Sequence, residues 1–324
     1  MDIYVKKAII HQFSPDDTDL YLADKFLNIT PKIEEYLRKK IERVYSDEAR
    51  TGIFEEDNPF LEMISDDLLE TSVAVANRWK EEFVVSENQK TNDLVFIQFS
   101  KEGVDHFAFL RIALRETLTH LGGEVDNPIK LTQNNLPGFG TGADEALVIN
   151  LQSRKYHLIE KRIKYNGTFL NYFSENLLQA QPKISPKKSI KALEKTAQKI
   201  AESFNTDDFQ FQSKVKSAIF NHIEEENKLS PEKLADDLFD DNLTARLSFI
   251  DQVKEAVPEP VTFEEIDVSR QLKKFENQKL SLSNGIELIV PNNVYEDAES
   301  VEFILNDNGT YSILIKNIED IQSK

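Results

Sequence analysis

Hydrophobic and polar positions change their period along this chain. Near its start they alternate, with Ile3 and Val5, then Ala8-Ile9-Ile10, and a second short run at Asp19-Leu20-Tyr21-Leu22. A period of two predicts strands. The period then lengthens. Ile33, Leu37, Ile41 and Val44 fall on one stripe at helical spacing behind Thr30-Pro31. That pair reads as a helix start, because Thr caps free N–H groups and Pro fits the first helical position. The same polar-then-Pro signature recurs at Asn58-Pro59, Ser185-Pro186 and Ser230-Pro231, so four helix starts are predicted. The helix from Asn58 is expected to run to about Phe83 and to carry the single tryptophan, Trp79.

Two β-rich runs, Leu94–Phe99 and His106–Ile112, flank Lys101-Glu102-Gly103 and predict a hairpin. Further strands are expected at Ala146–Leu151 and Lys155–Arg162. From about residue 166 the period becomes helical. One helix opens at Pro186, a second carries Val215, Ile219 and Ile223, and a third region runs from Leu234 to Val253, broken near Asp240-Asp241-Asn242. Val257-Pro258-Glu259-Pro260 cannot continue a helix. Strands return after it, with Asn284-Gly285 and Asn308-Gly309 as hairpin turns. The fold class is therefore α+β. An N-terminal, mainly antiparallel sheet with helices spans 1–165, a helical block 166–257, and a small β-rich piece 258–324. That last piece is small for a core of its own and is expected to pack on the rest of the chain.

Composition narrows the function classes. Length alone, 324 residues, favours two or three domains. Cysteine is absent, which excludes disulfides and thiolate metal sites and fits a reducing compartment. The first residues lack the layout of a signal peptide, and no apolar run approaches the ~20 residues needed to span a bilayer. A cytoplasmic protein without a membrane partner is expected. Net charge is −18, yet positive charge gathers in two islands. One comprises Arg154, Lys155, Lys161, Arg162 and Lys164. The other holds Lys183, Lys187, Lys188, Lys191, Lys195 and Lys199, with Glu194 its only acid. On the helix from Pro186, Ile190, Leu193, Ala197, Ile200, Ala201 and Phe204 form one stripe, and the lysines from 187 onward fall opposite. Such a face is either ordinary solvated surface or a row of phosphate contacts that hold DNA without reading sequence.

No catalytic constellation stands out. Gly138-Phe139-Gly140-Thr141-Gly142 lacks the strand before and the helix after that a phosphate cradle needs, and reads as a flexible loop. The five histidines, His11, His106, His120, His157 and His222, show no metal-ligand spacing, and structural roles are expected for them. The carboxylate runs Glu55-Glu56-Asp57, Asp66-Asp67, Glu224-Glu225-Glu226, Asp236-Asp237 and Asp240-Asp241 read as solvated acidic faces. A metal-dependent nuclease built from them is the weaker alternative. The expectation is no enzyme, no cofactor and no metal.

The chain resembles the bacterial 37-kilodalton nucleoid-associated proteins. The likeness rests on Ala8-Ile9-Ile10-His11-Gln12, Arg43-Val44-Tyr45-Ser46, Thr51-Gly52-Ile53-Phe54-Glu55-Glu56, Phe169-Leu170-Asn171-Tyr172-Phe173 and Asn284-Gly285-Ile286-Glu287. Their order and spacing extend it over nearly the whole length. The resemblance implies residence at the nucleoid and contact with DNA, direct or through a partner. It brings no catalytic residue, and none of its motifs coincides with the basic islands. Gly52 reads as a turn glycine and Phe54 as a packing aromatic. Two readings follow. One is sequence-independent DNA binding through the lysine face, with a homodimer pairing two such faces. The other is an acidic adaptor recruited by a DNA-processing protein.

Overall fold

The alternating residues at the start of the chain form a strand inside a seven-stranded antiparallel sheet. The computed structural model describes residues 2–16, 18–84, 90–120, 129–165, 167–206 and 209–322. The sheet strands are β1 (Ile3–Ser14), β2 (Asp19–Tyr21), β3 (Arg50–Ile53), β4 (Asn92–Lys101), β5 (Val104–Ala113), β8 (Glu145–Asn150) and β9 (Lys155–Ile159), in the order β2-β1-β4-β5-β8-β9-β3. Between β5 and β8 a separate ribbon pairs β6 (Arg115–His120) with β7 (Ile129–Asn135). Helix α1 (Pro31–Glu42) lays Leu37 and Ile41 against one face, over Val95, Ile97, Ala108 and Val148. Helix α3 (Leu68–Phe83) lays Val75, Trp79 and Phe83 against the other, over Phe96, Phe109 and Leu147. Both faces are covered, which is why the central strands read as nearly continuous apolar runs with little alternation.

The predicted helix from Asn58 is two helices. Asn58 caps α2 (Pro59–Glu62), which stops after one turn, and Asp67 caps α3 by accepting from the Leu69 N–H at 2.8 Å. Ser65-Asp66-Asp67 breaks the run because short polar side chains bond the backbone and compete with the helix. The other three predicted starts hold, at α1, α4 (Pro186–Ser203) and α6 (Pro231–Leu238). Gly52 is not in a turn. It lies in β3 directly across from Tyr156, where a Cβ would come within 2.5 Å of the phenol Cζ, so the ring leaves no room for a side chain. Phe54 is a packing aromatic, 4.4 Å from the Tyr156 ring.

The chain divides into two compact units, Met1–Ser185 and Pro186–Lys324. The boundary expected near residue 165 therefore falls inside the first unit. The ribbon β10 (Ile163–Tyr165) and β11 (Thr168–Leu170) leads there into a single π-helical turn, Phe173–Leu177, and Tyr172, Phe173, Leu177 and Leu178 are buried in the sheet's core. In the second unit α4 packs with α5 (Phe209–Glu226), α6 and α7 (Leu243–Ala256), the last two separated at Asp240-Asp241-Asn242 as predicted. Past the proline-rich stretch, β13 (Val261–Thr262) returns to pair with β12 (Lys228–Leu229), and Val261, Phe263 and Phe275 enter the helical core. The C-terminal piece thus shares that core. It continues through α8 (Ser269–Phe275), β14 (Asn277–Ser281), β15 (Glu287–Pro291), α9 (Asn292–Tyr295), β16 (Val301–Leu305) and β17 (Tyr311–Ile315). Gly285 and Gly309 sit at φ 87° and 77° in the turns of the two last hairpins, as the Asn-Gly pairs predict.

Candidate nucleic-acid interface

The lysine face of α4 follows from the helix's own periodicity. Ile190, Leu193, Ala197, Ile200 and Ala201 are buried against the helical core, which turns Lys187, Lys188, Lys191, Lys195 and Lys199 outward, and all five are exposed. At 100° per residue the five span an arc of about 120°. Lys199 donates to Gln252 at 3.1 Å. Lys188, Lys191 and Lys195 make no ion pair among the described residues. Glu194, half-buried beside the row, is drawn toward Lys274 at 3.8 Å. Glu202, exposed in the last turn of the helix, falls at about 60° and so in the middle of the same arc.

The 154–164 island differs in kind. Arg154, at a left-handed φ of 60°, pairs with Glu56 at 3.0 Å. Lys161 pairs with Asp144 at 2.7 Å. Burial works against the Asp144 carboxylate, but the bonds from Lys161 and the Ala113 N–H hold its pKa below the ordinary value. Arg162 donates to the Phe169 carbonyl at 3.2 Å, Lys155 is half-buried, and Lys164 is exposed in β10. Arg154 and Lys161 are thus matched by carboxylates of the same unit. This leaves less positive potential here than the sequence count suggests.

The glycine loop at 138–142 is tied down. The buried ammonium of Lys40 donates to the carbonyls of Pro137 at 3.3 Å, Gly138 at 2.9 Å and Thr141, and lies 4.4 Å from the Tyr36 ring. The loop turns its carbonyls to a cation, the reverse of a phosphate cradle, which presents N–H groups. His11 accepts the Ala23 N–H on Nδ1 at 3.0 Å, so Nε2 carries the proton and donates to Ser72 at 2.9 Å. Burial pulls its pKa down to about 4. His222 bonds Asp237 at 2.7 Å. The carboxylate runs are exposed, and among the described residues no three His, Asp or Glu side chains gather so as to hold a metal ion.

A buried polar network passed unnoticed in the sequence. Arg111 donates to Glu145 at 2.6 Å and to Asn92 at 2.9 Å, Tyr172 donates to the same Glu145 oxygen, and Trp79 donates to the Tyr172 hydroxyl at 3.0 Å. Burial disfavours the guanidinium's charge, but Glu145 more than offsets this and Arg111 stays protonated. Burial and the neighbouring Glu145 push the Tyr172 phenol well up. The network joins β4, β5, β8, α3 and the π-helical turn, and none of its charges faces solvent. The available signal was a charge inside an apolar run, Arg111 after Phe107-Ala108-Phe109-Leu110.

No helix among the described residues is long and apolar enough to cross a membrane. A family model described as the nucleoid-associated protein YejK matches residues 9–321. No curated protein matches the chain.

Proposed function

From the fact that the chain belongs to the nucleoid-associated YejK family, we propose that it acts at the bacterial nucleoid, in the cytoplasm, as a non-enzymatic protein that touches DNA directly and independently of sequence. The observation that carries this reading is the row of five exposed lysines on α4. From Lys187 to Lys199 the helix rises about 18 Å, which spans about five phosphates of one strand at ~3.4 Å each. Five neutralised phosphates give a salt slope near −4.5, and so a few-hundredfold loss of affinity between about 50 and about 200 mM salt. The net charge of −18 opposes approach elsewhere on the surface, so contact is narrow. A homodimer would pair two such faces.

A salt titration of duplex-DNA binding tests this, comparing the wild type with Lys187, Lys191, Lys195 and Lys199 changed together to Glu. Loss of binding and of most of the slope supports the assignment, and unchanged binding sinks it. The second reading, an acidic adaptor brought to the nucleoid by a DNA-processing protein, is favoured by one observation. A cleft of about 550 Å³ between α5 and α6 carries Glu225, Glu226, Asp236, Asp237 and Glu296 against Lys214 and Lys233, an excess of acid that suits a basic protein surface. Purified protein that ignores DNA yet binds a DNA-bound partner would select it. Mg²⁺- or Mn²⁺-dependent cleavage of DNA would select the nuclease reading over both.

A further inference from the structure

The glycine loop after β7 has two sides, and only one of them faces Lys40. The carbonyls of Pro137, Gly138 and Thr141 converge on that buried ammonium. The Tyr36 hydroxyl also donates to the Pro137 carbonyl, at 3.0 Å. In a trans peptide the N–H points opposite to its carbonyl. The N–H groups of Gly138, Phe139 and Gly142 are therefore turned away from Lys40, and none of the three has a partner among the described residues. A carbonyl bonded to a cation polarises its peptide, which makes each of these N–H groups a stronger donor. The outer side is also open. Gly138 and Gly140 are exposed, and a Cβ on either would meet nothing within 4 Å. Because Lys40 ties the loop down from inside, the donors are in place before anything binds.

Two arginines lie close by. Arg43, which ends α1, runs its stem beside Gly142, where an added Cβ would be 3.8 Å from the Arg43 Cδ. Arg115, exposed, opens β6. Burial, then Arg43 and Arg115, lower the Lys40 pKa to about 8, which puts both guanidinium groups near the loop's anchor. Burial, then Asp93, push the Tyr36 phenol up to about 12, with Arg115 acting against them. Neither arginine makes an ion pair among the described residues, although acids outnumber bases by 57 to 39. The nearby acids are engaged elsewhere: Asp144 with Lys161 and the Ala113 N–H, Glu42 with Arg38 and Lys39, Asp93 with Gln12, and Glu116 with Gln133. We infer that the outer side of this loop binds a small phosphate monoester, held by the three free N–H groups with Arg43 and Arg115, and with the Phe139 ring beside it for an aromatic group such as a nucleobase. The donors select the ligand. Two guanidinium charges match the dianion of a monoester. Together with the N–H groups they offer more bonds than the two oxygens of a carboxylate can accept. Phe139 is 42% exposed and meets Tyr36 edge-on at 5.4 Å, so ring surface is left for a second partner. The net charge of −18 disfavours a polyanion here more than a small dianion. The inference is independent of the lysine row on α4.

Isothermal titration calorimetry of the full chain with adenosine monophosphate, inorganic phosphate and adenosine tests it. Adenosine monophosphate should bind with a Kd of about 1 mM or tighter. Inorganic phosphate should bind at least about fivefold more weakly, for want of the ring contact, and adenosine should give no measurable heat. Arg115→Gln, at an exposed position, should weaken both anions by about tenfold or more with an unchanged circular-dichroism melt. Phe139→Ser should bring adenosine monophosphate down to the affinity of phosphate and leave phosphate itself unchanged. The variant with Lys187, Lys191, Lys195 and Lys199 changed to Glu should bind both anions like the wild type, whatever it does with DNA. Duplex DNA should not displace adenosine monophosphate. No binding of either anion up to about 10 mM, an unchanged affinity in Arg115→Gln, loss of binding in the α4 variant, or displacement by duplex DNA overturns the inference.

Discussion

Acid should destabilise the first unit through His11 by an amount that can be worked from its surroundings. The imidazole is fully buried in β1, its ring 5.5 Å from Phe96, and it is held neutral by the Ala23 N–H on one nitrogen and Ser72 on the other. Burial lowers its pKa from 6.5 to about 4. The unfolded chain therefore binds a proton that the folded chain refuses, and stability rises with pH across that window. The contribution is complete above pH 6.5, is lost as pH falls toward 4, and levels off below. A shift of this size corresponds to about 3 kcal/mol, of which roughly 2.5 is lost by pH 4.5. His11→Gln keeps a donor and an acceptor but does not titrate. Urea unfolding followed by the fluorescence of Trp79, the sole tryptophan and part of the same core, reads this unit selectively. Subtracting the variant's stability from the wild type's at each pH isolates the imidazole. The difference should fall by about 2 kcal/mol between pH 7 and 4.5. A flat difference would refute the neutral buried imidazole and with it the assigned tautomer.

Three further outcomes are expected. Gly52→Ala drives a Cβ toward the Tyr156 ring, 2.5 Å from Cζ and 2.8 Å from Cε1, and should cost about 1–3 kcal/mol by overpacking; in a Tyr156→Leu background most of that cost should vanish, as a double-mutant cycle in urea would show. Glu145→Gln strips the buried Arg111 of its counter-charge and should cost about 3–5 kcal/mol, whereas Arg111→Met with Glu145→Leu should cost clearly less, because no charge is then stranded; equal costs in thermal melts would contradict the pairing. Burial, with Arg43 and Arg115 nearby, brings the Lys40 ammonium down to about 8, so its NMR titration should have a midpoint there, and stability should rise as pH climbs from about 8 toward 10.5; a midpoint at the ordinary lysine value would mean that the three carbonyls outweigh burial.

Legibility followed covered faces. Helix starts marked by Thr30-Pro31, Ser185-Pro186 and Ser230-Pro231 were readable because the signal is local: a side-chain oxygen for free N–H groups and a ring that fixes φ. The α4 stripe was readable because one face is buried and the other is not. The ribbon β6–β7 was not, since its residues are mostly exposed and neither side has to be apolar. Strand β3 was missed because its middle position is a glycine whose reason, the Tyr156 ring, lies about a hundred residues away. The restart of the helix at Leu68 turned on whether Ser65 and Asp67 would bond backbone, a choice that tertiary packing makes.

The same distinction applies to the two basic islands. Counted along the chain they look alike. In α4 the period of the helix sets the lysines on one side and removes hydrophobic neighbours to the other, so their common direction was derivable from sequence alone. In the 154–164 island the cations lie on short strands and turns, and their partners, Glu56 and Asp144, come from elsewhere in the first unit. Sequence count is therefore a poor measure of free positive charge wherever acids outnumber bases, as they do here by 57 to 39. Under that excess an isolated cation such as Arg154 or Lys161 meets a carboxylate of its own unit, whereas Lys188, Lys191 and Lys195 on α4 make no ion pair among the described residues. Little stability is forgone there, since exposed pairs contribute only about 0–1 kcal/mol. On this argument added salt should loosen DNA from α4, and a salt slope that survives the change of Lys187, Lys191, Lys195 and Lys199 to Glu would put the contact elsewhere.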